Sequence, residues 1–257
     1  MTQPLLIFLI GLGGGSLSGL LGIGGGIVTA PLLLYLPRFF GLEPLSMHVV
    51  GGLTISQALF ASLFGGIAHW RSGSVDRRLA AVMSGFIFVA ALVGGAGSKW
   101  FSHRLLLGLF LLLSLAAAIL ILAPQPKENG KGYAPGSFST PGAVGIALGI
   151  GVLGGLVGQG GSFILIPMAV TLLRVPLRIA MGSNMAIIFF ASLAGFLGKA
   201  ATGQVPLLLT GALLTGILPG SLAGVALSRR VPTGALRVAL GVLIFAACAR
   251  MAFDLFV

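Results

Sequence analysis

Long apolar runs follow one another along almost the whole chain, and short polar stretches separate them. A helix needs about 20 apolar residues to cross the ~30 Å hydrocarbon layer of a bilayer, and most of these runs approach that length. The pattern therefore predicts an all-α polytopic membrane protein. The predicted helical segments lie at roughly 4–22, 25–37, 48–70, 78–98 and 104–123, and then at 142–157, 161–174, 178–200, 205–228 and 234–254.

A polar stretch lies between the fifth and sixth segments. Residues 124–141 are rich in Pro, Gly and Ser and show no periodicity, which is typical of a loop. Five segments precede the loop and five follow it. We therefore predict a first membrane repeat over 1–123, a linker loop over 124–140 and a second membrane repeat over 141–257.

The two halves are similar in residues as well as in hydropathy. Residues 19–33 align with 155–169, an offset of 136 positions, and residues 61–75 align with 191–205, an offset of 130. The chain is therefore predicted to be a duplicated unit. In the first alignment Gly22, Gly24, Gly25 and Pro31 match Gly158, Gly160, Gly161 and Pro167.

Composition and charge fit this class. Hydrophobic residues make up 57% of the chain and charged residues 7%, far below the roughly 25% charged residues of soluble proteins. The net charge of +11 comes from Lys and Arg scattered singly or in pairs between apolar runs. That distribution indicates topology signals and a lipid bilayer as surroundings, not a nucleic-acid partner. Cys248 is the only cysteine, so no disulfide or Cys-based metal site is expected, and no cofactor is predicted.

The basic residues also bear on topology. If the first pair of segments in each half crosses twice, or dips in and returns, the second half enters the membrane inverted. The basic residues then divide ten against five, whereas a single crossing divides them eight against seven. The positive-inside rule favours inverted-topology repeats in a bacterial inner membrane, with a cytoplasmic loop and periplasmic termini. The larger group comprises Arg71, Arg77, Arg78, Lys127, Lys131, Arg174, Arg178, Arg229, Arg230 and Arg237, and the smaller Arg38, Lys99, Arg104, Lys199 and Arg250.

Two glycine clusters, at 22–26 and 158–161, are each followed by a proline. Such clusters interrupt a helix and leave N–H and C=O groups that hydrocarbon tolerates only inside protein or along a cavity. The N-terminal ends of the resulting half-helices favour anions. Corresponding breaks in both halves predict a transporter's binding site near the midplane, although two tight packing turns without a ligand are an alternative. Other glycines, such as Gly94, Gly95, Gly97 and those over 211–224, are predicted to allow close helix packing.

The polar residues suit an anion better than a cation. The four acids, Glu43, Asp76, Glu128 and Asp254, lie in predicted loops or near an end, so no mid-membrane carboxylate is expected to hold Na⁺ or relay a proton. Neutral side chains can donate hydrogen bonds to anion oxygens, with interhelical hydrogen bonding as the alternative. The predicted substrate-binding set is Gly22, Gly24, Gly25, Gly26, Gly158, Gln159, Gly160, Gly161, Ser162, Thr54, Gln57, Ser183 and Asn184.

His69 and Lys199 occupy equivalent positions under the offset of 130. Two basic side chains related by the repeat are candidates for attracting or gating an anion from opposite sides. The alternative is that each extends to the membrane interface, with its apolar stem in lipid and its charge in water.

Several motifs resemble the TauE/SafE sulfite exporter family, also called the four-toluene-sulfonate uptake permease superfamily. They are Gly19-Leu-Leu-Gly-Ile-Gly-Gly-Gly with Pro31, Gly155-Leu-Val-Gly-Gln-Gly-Gly with Pro167, Gly182-Ser-Asn and Gly203-Gln-Val. The resemblance covers nearly the whole chain and implies a secondary carrier for sulfite, organosulfonates, thiosulfate or related anions, often outward. The first half departs from the pattern, with Gly51-Gly-Leu-Thr where a closer match to Gly182-Ser-Asn is expected.

An enzyme and a passive channel are the two other classes of protein to compare with a carrier. The three histidines are far apart in sequence, and HExxH, GxSxG and paired intramembrane aspartates do not occur, so no enzyme is expected. A passive anion channel stays open as an alternative, because a pore and a carrier can share glycine breaks and basic mouths. A homo-oligomer is compatible with the sequence.

Overall fold

The computed structural model describes residues 2–21, 26–71, 75–122, 133–134, 136–228 and 245–255. Every regular element in these ranges is helical, which confirms the all-α prediction. The helices are α1 (Gln3–Leu21), α2 (Gly26–Phe39), α3 (Met47–Arg71), α4 (Arg77–Gly97), α5 (His103–Leu122), α6 (Thr140–Val157), α7 (Ser162–Thr171), α8 (Leu177–Ala201) and α9 (Leu207–Ser228), and residues 245–255 are also helical.

Four of the described helical stretches are long and apolar enough to cross a membrane: Arg77–Trp100, Thr140–Val157, Leu177–Ala201 and Leu207–Gly224. Helices α2 and α7 have 14 and 10 residues. At 1.5 Å per residue they rise only about 21 and 15 Å, less than the hydrocarbon thickness. The protein is a multi-pass membrane protein in which long helices enclose shorter ones.

Helix starts follow local capping chemistry. The Asp76 carboxylate accepts hydrogen bonds from the backbone N–H groups of Arg78 and Leu79, which starts α4. The Ser139 hydroxyl accepts a hydrogen bond from the Gly142 N–H at 3.3 Å, and a proline follows in the first turn of α6. Both caps satisfy N–H groups that have no partner within the helix.

Helices that are far apart in the chain pack against each other. Helix α1 packs on α9, and α6 packs on α4, which also contacts α8; α3 packs on α8. Small residues let the backbones approach closely: a Cβ on Gly15 would lie 2.8 Å from the Ile217 carbonyl oxygen. Because lipid removes the hydrophobic drive for helix association, such close packing contributes much of the contact energy.

The glycines predicted to allow helix packing divide into two groups. Gly94 and Gly95 meet the backbones of α6 and α8, as predicted. The prediction is wrong for Gly97 and Gly211, where an added Cβ would have nothing within 4 Å. Hydropathy cannot separate the two groups, because the face that a glycine presents depends on the neighbouring helix.

Gly220 and Gly211 of α9 offer a matched test of this packing. A side chain at Gly220 would meet the Leu12 backbone of α1, whereas one at Gly211 faces open space. We expect Gly220→Leu to lower stability by roughly 1–3 kcal/mol through overpacking. Gly211→Leu should leave the midpoint of thermal unfolding in detergent unchanged. Equal midpoints for the two variants would contradict the α1–α9 contact.

Candidate functional site

A four-residue turn separates α6 from α7. Gly158, Gly160 and Gly161 in this turn have φ of +85°, +63° and +77°, in the left-handed region that favours glycine. A Cβ on Gly158 would also clash with the Gly51 backbone of α3. The turn is therefore fixed by backbone conformation and by close contact with α3.

Gly160 in this turn lies at about half the height of the two long helices beside it, whereas Gly158 lies nearer the start of α3. The Thr54 hydroxyl of α3 donates to the Gly158 carbonyl oxygen at 2.7 Å. A Cβ on Gly160 would lie 3.8 Å from Ala58 and 3.4 Å from Ile188. Those two residues lie near the midpoints of α3, which covers 47–71, and α8, which covers 177–201.

Gln159 connects this turn to the start of α2. Its side chain is 2% exposed, and its Nε2 donates to the Gly26 carbonyl oxygen at 3.0 Å. The amide oxygen of Gln159 has no hydrogen-bond partner in the described part of the chain. The hydrogen bond between Gln159 and Gly26 thus joins two members of the predicted substrate-binding set that come from different predicted halves of the chain. Gly22, Gly24 and Gly25 lie outside the described residues.

Three amide side chains of the predicted set are buried with polar atoms unpaired. Among the described residues, no hydrogen-bond partner is found for Gln57 Oε1, Gln159 Oε1 or either polar atom of the Asn184 amide. An unpaired buried polar group costs about 1–3 kcal/mol. Of these four atoms only the Asn184 amide nitrogen is a donor that can serve an anion oxygen. Ser183 differs, because its hydroxyl oxygen accepts from the Asp76 backbone N–H at 2.9 Å.

Lys199 is fully buried near the end of α8, with 0% exposure. Its ammonium donates to Ser98 Oγ at 2.8 Å, to the Leu156 carbonyl oxygen at 3.1 Å and to Gln204 Oε1 at 3.3 Å. All three acceptors are neutral, and no ion pair to Lys199 is found among the described residues. The Lys199 side chain therefore ends inside the protein and does not reach its surface. The Leu156 carbonyl lies in the last turn of α6, where the helix dipole favours a cation.

Gly51 lies between the Lys199 ammonium and the α6–α7 turn. A Cβ on Gly51 would lie 2.8 Å from the Val157 carbonyl oxygen and 3.2 Å from Lys199 Nζ. Gly51 therefore lies directly beside both the Lys199 ammonium and the turn, and the three form one contiguous region. His69, its predicted counterpart, lies within α3, but its side chain and that of Ser162 are outside the described part of the structure.

Sequence reasoning missed the burial of Asp76. The residue is in a loop, as predicted, but it is only 4% exposed. Its Oδ2 accepts from the Tyr133 hydroxyl and the Gly136 N–H, both at 2.7 Å. An aspartate just before an apolar run is a helix-start signal that was available in the sequence, whereas its contacts with the linker had no local signal.

These contacts set the ionisation of Asp76. Burial opposes ionisation, but hydrogen bonds from the Leu79 backbone, the Tyr133 hydroxyl and the Gly136 and Arg78 backbones outweigh it, so the pKa of Asp76 is lowered. A carboxylate with a lowered pKa in the folded state stabilises the fold above the ordinary carboxyl range. That stability is lost as the pH falls through the lowered value. Burial and the bond to Asp76 raise the pKa of Tyr133.

The long apolar helices surround a helix that is interrupted by the α6–α7 turn. They also surround unpaired amide groups and a buried ammonium. This combination is typical of a polytopic membrane transporter. The sequence model of the family described as sulfite exporter TauE/SafE matches residues 7–251. The chain belongs to this family, and the resemblance noted from its motifs is confirmed.

Curated relatives carry names of the same class. The probable membrane transporter protein YunE of Bacillus subtilis is 29% identical over 249 residues, which cover 89% of each chain. The probable membrane transporter protein YdhB of the same organism is 26% identical over 93% of this chain and 95% of its own. A probable membrane transporter protein of Xylella fastidiosa is 31% identical over 72% of this chain and 70% of its own. No solved structure matches the chain at a significant level.

Proposed function

We propose that the protein is a secondary carrier that moves a small sulfur-containing anion, such as sulfite, an organosulfonate or thiosulfate, out across the bacterial inner membrane. The observation that carries the proposal is the fully buried Lys199 ammonium with only neutral partners beside the α6–α7 turn. The family description supports the substrate class and the outward direction.

The buried charge of Lys199 favours an anionic substrate. An ammonium taken out of water without a counter-charge costs several kcal/mol, and membrane interiors increase the cost. A bound anion would offset part of that cost. The Asn184 amide nitrogen, which has no partner among the described residues, is a further donor for an oxyanion. Backbone N–H groups at the start of α7 would add to the same preference.

We also propose that the chain consists of two inverted repeats, 1–123 and 141–257, with a cytoplasmic linker and a substrate site near the midplane. The reciprocal packing of α1 on α9 and of α6 on α4 supports the repeat relation. The position of Gly160 beside the middle of α3 and α8 supports the depth of the site. His69 would then act with Lys199 from the opposite side.

Counterflow of radiolabelled sulfite in proteoliposomes tests the carrier mechanism. A carrier preloaded with unlabelled sulfite should accumulate label faster than an empty one, because its binding site returns loaded. Uptake that does not respond to preloading would instead identify a passive anion channel. Replacing sulfite by thiosulfate or taurine in the preload would rank the substrates by the same readout.

Gln159→Leu is expected to weaken the apparent sulfite affinity roughly 10- to 150-fold. The change removes a buried amide without adding much bulk, and a hydrogen bond to a charged group is worth about 1.5–3 kcal/mol. The readout is the half-saturating sulfite concentration in exchange assays. Thr210→Val is the matched control, because Thr210 is also buried but its hydroxyl donates locally, to the carbonyl oxygen of Pro206 just before α9. An unchanged affinity in Gln159→Leu would remove Gln159 from the site.

A further inference from the structure

A groove lies between the first halves of α4 and α8, and several of its lining residues are exposed on the outside of the bundle. Its volume is about 660 Å³, within the roughly 300–1,000 Å³ of sites that bind small molecules. Three alanines and Gly85 contribute to its lining, and Phe88 and Phe190 are the lining residues farthest from the helix starts. An added Cβ at Gly85 would have nothing within 4 Å. Small side chains therefore leave this space open between the two helices.

The groove begins near one face of the membrane. Helix α4 has 21 residues, which rise about 31 Å and match the hydrocarbon thickness. The Asp76 N–H donates to Ser183 Oγ, and a Cβ on Gly95 would lie 2.7 Å from the Gly195 carbonyl oxygen. Helices α4 and α8 therefore run in the same direction. Their starts lie at the same membrane face, and the groove extends inward from it.

Two polar side chains line the groove at different depths. Arg77 is the first residue of α4, and Ser84 lies about 10 Å further in along the helix. Ser84 is 7% exposed, and its hydroxyl has no hydrogen-bond partner among the described residues. A buried hydroxyl without a partner is destabilising, so a ligand that accepts its hydrogen bond would be favoured.

Positive charge is concentrated at the shallow end of the groove. Arg77 has another contact within the protein, but a guanidinium has five N–H donors and can bind a phosphate at the same time. Arg78 and Arg178 are exposed in the first turns of α4 and α8, at the same membrane face. The neighbouring Asp76 carboxylate is bonded to the α4 cap and to the linker. This end of the groove therefore favours a negatively charged headgroup.

We propose that the groove binds one anionic glycerophospholipid of the surrounding bilayer. Its phosphate binds Arg77, an ester carbonyl accepts from the Ser84 hydroxyl, and an acyl chain lies against Phe88 and Phe190. A bilayer lipid presents phosphate, ester and hydrocarbon in this order from the membrane face inward. A soluble anion would fit Arg77 alone and leave the apolar part empty. Basic pockets between membrane helices bind anionic headgroups in this way. Lipid binding here does not depend on which anion the protein transports.

Lipid binding by the purified full-length protein tests the groove. Native mass spectrometry gives the dissociation constants of phosphatidylglycerol and phosphatidylcholine with the same acyl chains, and the wild-type protein should prefer phosphatidylglycerol about fivefold. Gly85→Leu places a side chain in the groove without a clash. It should weaken both lipids at least about tenfold, because the acyl chain loses its contacts with the groove. Gly97→Leu is the matched control, since an added Cβ there, in the same helix, also has nothing within 4 Å.

Two further variants separate the headgroup contact from the ester contact. Arg77→Gln should abolish the preference for phosphatidylglycerol while phosphatidylcholine still binds. Arg104→Gln should keep the preference, because Arg104 is exposed in the first turn of α5 and does not line the groove. Ser84→Ala keeps the shape of the groove and should weaken both lipids roughly 2- to 10-fold. Its midpoint of thermal unfolding without lipid should not fall, because the hydroxyl has no partner among the described residues.

Wild-type lipid affinities in Gly85→Leu would overturn the site, and so would a preference for phosphatidylglycerol that survives Arg77→Gln. If the wild-type protein is a dimer that Gly85→Leu dissociates without changing lipid binding, a second copy covers the groove and the lipid site is wrong. None of these measurements needs transport. Failure of sulfite counterflow would therefore refute the proposed function and leave the lipid site standing.

Discussion

Replacing Lys199 with methionine is expected to abolish sulfite exchange while leaving thermal stability in detergent unchanged or higher. Loss of a buried charge that pairs with the substrate costs roughly 2–5 kcal/mol, or at least about 30-fold in affinity. Stability responds differently, because methionine has similar bulk and removes the cost of burying an unpaired ammonium. The three neutral acceptors around Nζ lose a donor, which offsets part of that gain.

Lys99→Met serves as the control for the loss of a positive charge. Lys99 follows Ser98 in the chain, but its own side chain is exposed and lies over the Trp100 ring at 4.5 Å, whereas Ser98 is buried against Lys199. The Lys99→Met variant should exchange sulfite at the wild-type rate. Wild-type exchange in Lys199→Met would instead mean that the ammonium only joins α4, α6 and α8, and the charge argument for an anion would fail.

Gly158→Ala is expected to have the largest effect on stability, a loss of about 2–5 kcal/mol. Left-handed backbone costs an alanine roughly 1–2 kcal/mol, and overpacking adds roughly 1–3 kcal/mol because the Gly51 backbone cannot move like a side chain. The measurement is the midpoint of thermal unfolding followed by the monodisperse fraction in detergent.

Gly203→Ala separates the two contributions. Gly203 has φ of +73°, close to that of Gly158, but an added Cβ there would have nothing within 4 Å. The stability lost by Gly203→Ala should equal the cost of left-handed backbone alone, roughly 1–2 kcal/mol. If both variants lose the same stability, the close contact between Gly158 and α3 is absent in solution.

Helix positions are predictable because hydrophobic periodicity is a local property. The eighth segment is predicted at 178–200, and the helix covers Leu177–Ala201. The seventh is predicted to continue to 174, but α7 ends at Thr171. The apolar residues Leu172 and Leu173 extend the hydropathy signal beyond the helix. The chain must turn before Pro176, which disfavours helical conformation in the preceding residue, and Arg174 adopts φ of +55°.

The environment of Lys199 could not be predicted from the sequence. A basic residue near the end of an apolar segment is typical of the interface, and only tertiary contacts reveal its burial. Its partners Ser98 and Leu156 are 101 and 43 positions away. The linker contacts of Asp76 are similarly remote, at 57 and 60 positions. The glycine turn was easier to locate, because clustered glycines mark unusual backbone conformation locally.

The packing of α1 on α9 has a consequence for biogenesis. Helix α1 ends at Leu21 and its main partner begins at Leu207, so the ribosome must add 186 residues before the contact can form. At about 5–20 residues per second this takes roughly 10–40 s. During that interval the small-residue face of α1 is available to lipid, insertion factors or another nascent chain. The N-terminal half expressed alone therefore lacks the surface that completes α1.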